Sequence, residues 1–164
     1  MTDPAAATAD APRDASFVDW RAPSRASHPA RDAALRSYDA VIRKDKQAWL
    51  ANFAEDGWIE DPVGPSVFDP EGKGHHGAEG RARFWDITIG TMSGFVFEIH
   101  DSFVSGDECA NVGVIHTTTE NGWTASTEGV FTYRVDAEGK IVSLRAFWEM
   151  DRVLASAKDS AADG

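Results

Sequence analysis

The chain has 164 residues, a net charge of −11 and a sequence pI near 4.7, the length of one domain with a core of useful size. A hydrophobic fraction of 42%, with six Trp, two Tyr and nine Phe, excludes a disordered chain. The acidic balance, with no Lys/Arg cluster, argues against nucleic acid or an anionic membrane surface as partner. No stretch approaches the roughly 18 apolar residues that a membrane span needs, and no basic segment followed by an apolar run opens the chain. The single Cys109 excludes an internal disulfide framework. A cytoplasmic location is expected.

In chain order, residues 1–26 are rich in Ala, Asp, Pro, Ser and Thr without a sustained period, and a flexible arm is expected there. Phe17, Val18 and Trp20 stand out in it, since three large apolar groups need the domain or a partner subunit to pack against. Ser27, Pro29 and Asp32 form a helix-start signal with Ser27 as cap. Ala34, Leu35, Tyr38, Val41 and Ile42 then recur at helical spacing. Tyr38 lies within that stripe, where a tyrosine is ordinarily a core residue with its hydroxyl satisfied locally. Asp45 is expected to cap a second helix that buries Trp49, Leu50 and Phe53 and stops at Asp56-Gly57.

The stretch Trp58-Ile59-Glu60-Asp61-Pro62-Val63-Gly64 carries the chemistry. Pro62 biases Asp61 toward extended backbone, which holds its carboxylate at a strand end beside apolar residues. Burial raises the pKa of such a group toward working pH, and that makes it a candidate general base. The same Asp-Pro pair also suits a plain strand end. Residues 64–77, with Pro65, Pro70, Gly72 and Gly74, read as a loop of the length used for lids and binding loops. His75-His76 within it project in different directions and have no third ligand at metal spacing, so neither metal nor cofactor is expected.

A third helix is expected over residues 78–91, with Ala82, Phe84, Trp85 and Ile89 as its apolar set. From Phe95 the period becomes two. Strand-like segments follow at about 95–104, 108–120, 123–135 and 140–152, and Asn121-Gly122 between two of them is a strong hairpin signal. Alternation groups Phe131, Tyr133 and Val135 on one face, and Val112, Val114, His116 and Thr118 on one face of the preceding segment. His116 reads as a satisfied core residue or as a hydrogen-bond donor. Helices followed by a meander predict an α+β domain, with helices packed on one face of an antiparallel sheet. The domain is expected over 27–154, with a flexible tail at 155–164. No Gly-rich phosphate loop and no G-x-S-x-G elbow is present.

Tyr38 in the first helix, Phe53-Ala54-Glu55-Asp56, Ile59 through Gly64, a helix after Gly77, and Gly139 through Trp148 in the last strand together resemble the Δ5-3-ketosteroid isomerases of the nuclear transport factor 2-like (SnoaL-like) superfamily. The resemblance runs from about Pro29 to Val153. It implies a cone-shaped fold in which a curved antiparallel sheet wraps the helices around a hydrophobic pocket, a homodimer, and a steroid-like or polycyclic ligand. It also implies a cofactor-free steroid Δ-isomerase in which Asp61 is the base and Tyr38 donates to the oxyanion. The family's protonated Asp falls on Phe131, which has no hydrogen to donate, and His116 and Tyr133 are the expected substitutes. Phe53, Trp85, Val114 and Trp148 would line the pocket with them. Other reactions on the same fold (dehydration, polyketide cyclisation, epoxide hydrolysis) and a non-catalytic ligand-binding module remain open.

Overall fold

The computed structural model describes residues 16–159. Their order is β1 (Phe17–Trp20), α1 (Pro29–Ile42), α2 (Lys46–Ala51), β2 (Phe53–Glu60), β3 (His75–His76), α3 (Gly77–Ile87), a 3-10 turn (Ile89–Thr91), β4 (Met92–Ser105), β5 (Glu108–Thr119), β6 (Trp123–Val135), β7 (Ile141–Phe147), α4 (Met150–Ser156) and β8 (Lys158–Asp159). One sheet holds all eight strands in the order β1-β4-β5-β6-β7-β2-β3, with β8 added to β6. The architecture is the α+β cone that the sequence predicts.

The sheet is mixed, where the meander predicted an antiparallel one. β1 runs parallel to β4, and β2 runs parallel to β7. Both exceptions come from the N-terminal half of the chain, which enters the sheet at its edges. Phe17–Trp20, assigned to the arm by composition, is therefore an edge strand whose Val18 and Trp20 pack on the core.

Several boundaries also differ for local reasons. His28 caps α1 in place of Ser27: its Nδ1 accepts from the Ala30 amide at 3.1 Å, while Ser27 is drawn to Asp32 at 2.6 Å. Asp45 caps α2 as expected. That helix ends at Ala51, however, and Asp56-Gly57 lies inside β2, where the register with β7 shifts between Phe53 and Trp58. The loop after Asp61 ends at Gly74, because His75–His76 pairs with Ile59 and Trp58 as β3. α3 stops at Ile87. The last strand ends at Phe147, and residues expected to extend it or to form the tail instead make α4 and β8. The remainder of the expected arm and tail, residues 1–15 and 160–164, lies outside the described residues.

Curvature has a visible cause. Gly113 and Gly129 face each other in the β5/β6 ladder. A Cβ on Gly113 would run into the Glu98 carbonyl, and one on Gly129 into the Phe147 carbonyl. Glycine thus lets the strands bend and close in where any side chain would hold them apart. Register shifts between Ile99 and Asp101 and between Arg134 and Val135 add to the bend. The concave face wraps α1, with Ile59, Ile99, Ile141, Tyr38 and Trp49 among the most deeply buried side chains.

Candidate active site

The cone encloses a cavity of about 250 Å³. Its wall is almost wholly apolar, and Asp61, Tyr38 and Tyr133 are the ionisable groups on it. A concave apolar site with a few convergent polar groups is the usual form of a small-molecule site.

Asp61 follows the last ladder residue of β2, so it and Glu60 leave the sheet on opposite sides. Glu60 goes to the outer face and takes a 3.2 Å bond from Arg145, which lies over the Trp58 and Phe147 rings. Asp61 enters the cavity. The Trp148 Nε1 donates to Asp61 Oδ1 at 2.6 Å. Burial in the apolar wall raises the Asp61 pKa from 3.8 to about 6, and the Trp148 bond holds it back from rising further.

Tyr38 reaches the cavity from α1 with its ring stacked on Phe97, the centroids 4.4 Å apart. The Asn111 Nδ2 donates to the Tyr38 hydroxyl oxygen at 2.9 Å. The Tyr133 ring meets Tyr38 edge-on, with centroids 6.1 Å apart, and its hydroxyl acts on the Tyr38 hydroxyl as a further polar neighbour. Burial nevertheless pushes the Tyr38 pKa up to about 12. Tyr38 is a neutral phenol at ordinary pH. With its oxygen accepting from Asn111, its own O–H can be given to a ligand.

Of the residues expected at the site, Asp61, Tyr38, Phe131, Tyr133 and Trp148 line the cavity together. Val114 and His116 do not. The β5/β6 register pairs His116 with Ser126 and Cys109 with Tyr133, so odd-numbered residues of both strands share the inner face and even-numbered ones point outward. His116 is bonded to Ser126 at 2.9 Å and lies 3.6 Å from Glu98 on the outer surface. Phe53 and Trp85 are displaced outward by one layer. They pack against Trp49, with ring centroids 4.8 Å and 5.3 Å away, and Trp49 and Phe84 are the rings that meet the cavity. Phe131 faces the cavity at 2% exposure and supplies no donor. His75 and His76 go to separate rings, Phe84 and Trp58, and among the described residues no three metal-ligating side chains gather.

Sequence reading missed Asn111 and Phe68. Asn111 shares the inner parity of β5 with Cys109 and is fully buried. An asparagine there demands partners, so the signal was present. Phe68 comes from the long loop after Asp61, whose fold no local pattern encodes. That loop is tied down by the Val63 amide on the Ala146 carbonyl at 2.9 Å and by the Asp69 carboxylate on the Gly74 amide at 2.7 Å.

A carboxylate with a raised pKa and a neutral phenol donor on one apolar cavity can take a proton from carbon and stabilise the enolate that results. Residues 34–144 match the model of the SnoaL-like domain. The solved structure of RV0760c from Mycobacterium tuberculosis is 36% identical with a TM-score of 0.73, over 79% of this chain and 97% of that one. Its complex with estradiol-17β-hemisuccinate aligns at 37% identity and a TM-score of 0.72, over 77% and 98%. The Δ5-3-ketosteroid isomerase from Mycobacterium sp. is 36% identical with a TM-score of 0.72, over 80% and 98%. A search of curated proteins gives no match.

Proposed function

Since the chain belongs to the SnoaL-like family of the nuclear transport factor 2-like superfamily, we propose that it is a cofactor-free enzyme that shifts a double bond next to a carbonyl in a steroid-like substrate. The observation that carries this reading is the pairing of Asp61, with its pKa raised to about 6, and the Tyr38 hydroxyl on one apolar cavity wall. Asp61 removes the proton from the carbon beside the carbonyl. Tyr38 donates to the oxygen as it becomes an enolate, where a donor in a water-poor site is worth more than in water. Protonated Asp61 then returns the proton to the carbon at the far end of the dienolate, and the carboxylate is regenerated. The identities with an isomerase and with a steroid complex, both over most of the chain, support the substrate class. A homodimer belongs to this reading, with the outer sheet face that carries Val112 and Phe103 as the surface for a second copy.

The test is turnover of 5-androstene-3,17-dione followed by enone absorbance. Asp61→Asn is expected to lower kcat by about 10²–10⁴-fold, the usual contribution of a general base. Glu60→Gln, on the other face of the sheet, leaves it within about twofold. Equal rates in wild type and Asp61→Asn would contradict the reading. One observation favours a second reading, a steroid-binding protein without turnover: Phe131 supplies no second donor to the carbonyl oxygen. Tight steroid binding with no proton exchange beside the carbonyl would support it.

A further inference from the structure

A buried polar chain leads away from Tyr38 and ends on a cation. Arg31, in the first turn of α1, is 2% exposed and has no carboxylate at ion-pair distance among the described residues. Its Nε donates to Ser102 Oγ at 2.9 Å, its Nη1 to the Ala26 carbonyl at 2.8 Å and its Nη2 to the Ser102 carbonyl at 3.2 Å. Ser102 Oγ lies 3.7 Å from Cys109 Sγ. Cys109 Sγ lies 3.2 Å from Asn111 Oδ1, and Asn111 Nδ2 lies 2.9 Å from the Tyr38 oxygen. Ser102, Cys109 and Asn111 are 2%, 1% and 0% exposed. Buried charges are ordinarily paired with opposite charge, whereas Arg31 directs its donors to neutral groups.

Arg31 fixes the first bond, and Asn111 Oδ1, which can only accept, fixes the bond from Cys109. A guanidinium only donates, so Ser102 Oγ accepts from Arg31, and its own proton can be given to the Cys109 sulfur. The thiol proton then goes to the Asn111 carbonyl oxygen, and this orients the Asn111 amide so that its NH₂ faces Tyr38. Tyr38, already accepting from Asn111, has its own proton left for the cavity.

We infer that Arg31, Ser102, Cys109 and Asn111 form a one-directional donor chain that holds Tyr38 as a hydrogen-bond donor toward the carbonyl oxygen of the ligand. Asn111 is the positioning residue in contact with Tyr38, and Arg31 anchors the far end of the chain. The chain takes the place of a second oxyanion donor by fixing and polarising the first. The inference rests on the reading of Tyr38 given under the proposed function.

The experiment interrupts the chain and restores it by a conservative change. Wild type, Cys109→Ala, Cys109→Ser and Ser102→Ala are compared by the infrared stretch of the conjugated carbonyl of bound 4-androstene-3,17-dione and by kcat with 5-androstene-3,17-dione. Cys109→Ser retains a donor at the same place and is expected to keep the wild-type frequency and a kcat within about twofold. Cys109→Ala is expected to move the stretch toward its position in apolar solvent and to lower kcat about tenfold, part of what loss of a whole oxyanion donor costs. Ser102→Ala breaks the chain one link earlier and gives the same reading if Cys109→Ala does not fold. Equal frequencies and rates in the Ala and Ser variants of Cys109 overturn the chain. Asp61→Asn separates the two ideas. Turnover lost there, with every chain variant like wild type, removes the chain and leaves the base. Turnover unchanged there removes the proposed reaction, while the carbonyl frequency still reports on the chain.

Discussion

Trp148 and Asp61, 87 residues apart in sequence, meet through a 2.6 Å bond from the indole Nε1 to the carboxylate Oδ1 on the wall of the cavity. The parallel pairing of β2 with β7 brings the ends of the two strands side by side, so the bond follows from the sheet order and not from any local motif. It is the polar contact that restrains the Asp61 pKa against the effect of burial.

Removing that bond should therefore raise the pKa again. A hydrogen bond to a charged group is worth about 1.5–3 kcal/mol, or about one to two pH units. In Trp148→Phe the acid limb of kcat/KM for 5-androstene-3,17-dione is expected to move up by about one unit from its wild-type midpoint near 6. A pH–rate profile of the two proteins checks this, and an unmoved midpoint would count against Asp61 as the titrating base.

The same shift has a consequence for stability. The folded-state pKa of Asp61 is raised from 3.8 to about 6, so folding is favoured by its proton below pH 3.8, and that contribution is lost as pH rises through 6. Asp61→Asn, which is neutral at all pH, is expected to be more stable than wild type at pH 8 by about 1–3 kcal/mol. The difference should be nearly gone at about pH 3, below the unfolded-state pKa. Urea unfolding at the two pH values measures it.

Tyr38 meets its ligand most strongly when the carbonyl becomes an enolate. Tyr38→Phe is expected to lower kcat by about 10²–10³-fold with a much smaller change in KM, the pattern of a donor that acts in the transition state. Its ring packing on Phe97 is kept, but the buried Asn111 amide loses its acceptor, so a loss of stability of about 1–3 kcal/mol is expected beside the kinetic effect. Steady-state kinetics separate this from a binding role, which would raise KM and leave kcat in place.

Phe131 occupies the position where the resemblance puts a protonated Asp. In an apolar wall an introduced carboxyl stays protonated and can donate. Phe131→Asp is expected to raise kcat about tenfold with 5-androstene-3,17-dione and to lower stability by about 3 kcal/mol through the lost ring. Kinetics and denaturant unfolding on one preparation test both halves.

What could be read from sequence was what short patterns encode. Period two placed β4, β5 and β6 nearly residue for residue, and the Asp-Pro step after an apolar strand put Asp61 at a strand end. Tyr38 came from helical spacing together with the resemblance. The failures lie where long-range geometry decides. His116 was assigned inward because one strand was read alone, whereas the hairpin register sets its parity against Tyr133. Phe17–Trp20 stands out in the expected arm as apolar groups that must pack on something, and the free edge of β4 makes it a strand, which no local pattern encodes. Phe53 and Trp85 were right as aromatic core and wrong as cavity wall, a distinction of one packing layer that no periodicity carries.

The central claim is that Asp61 moves a proton beside a carbonyl inside this cavity. The most direct measurement places the protein with 4-androstene-3,17-dione in D₂O and follows by NMR the loss of the proton signals on the carbons next to and conjugated with the enone. The account predicts exchange in the wild type, with an acid limb near pH 6, and rates lower by about 10²-fold or more in Asp61→Asn. Bound steroid with no exchange, or equal exchange in the two proteins, would contradict it.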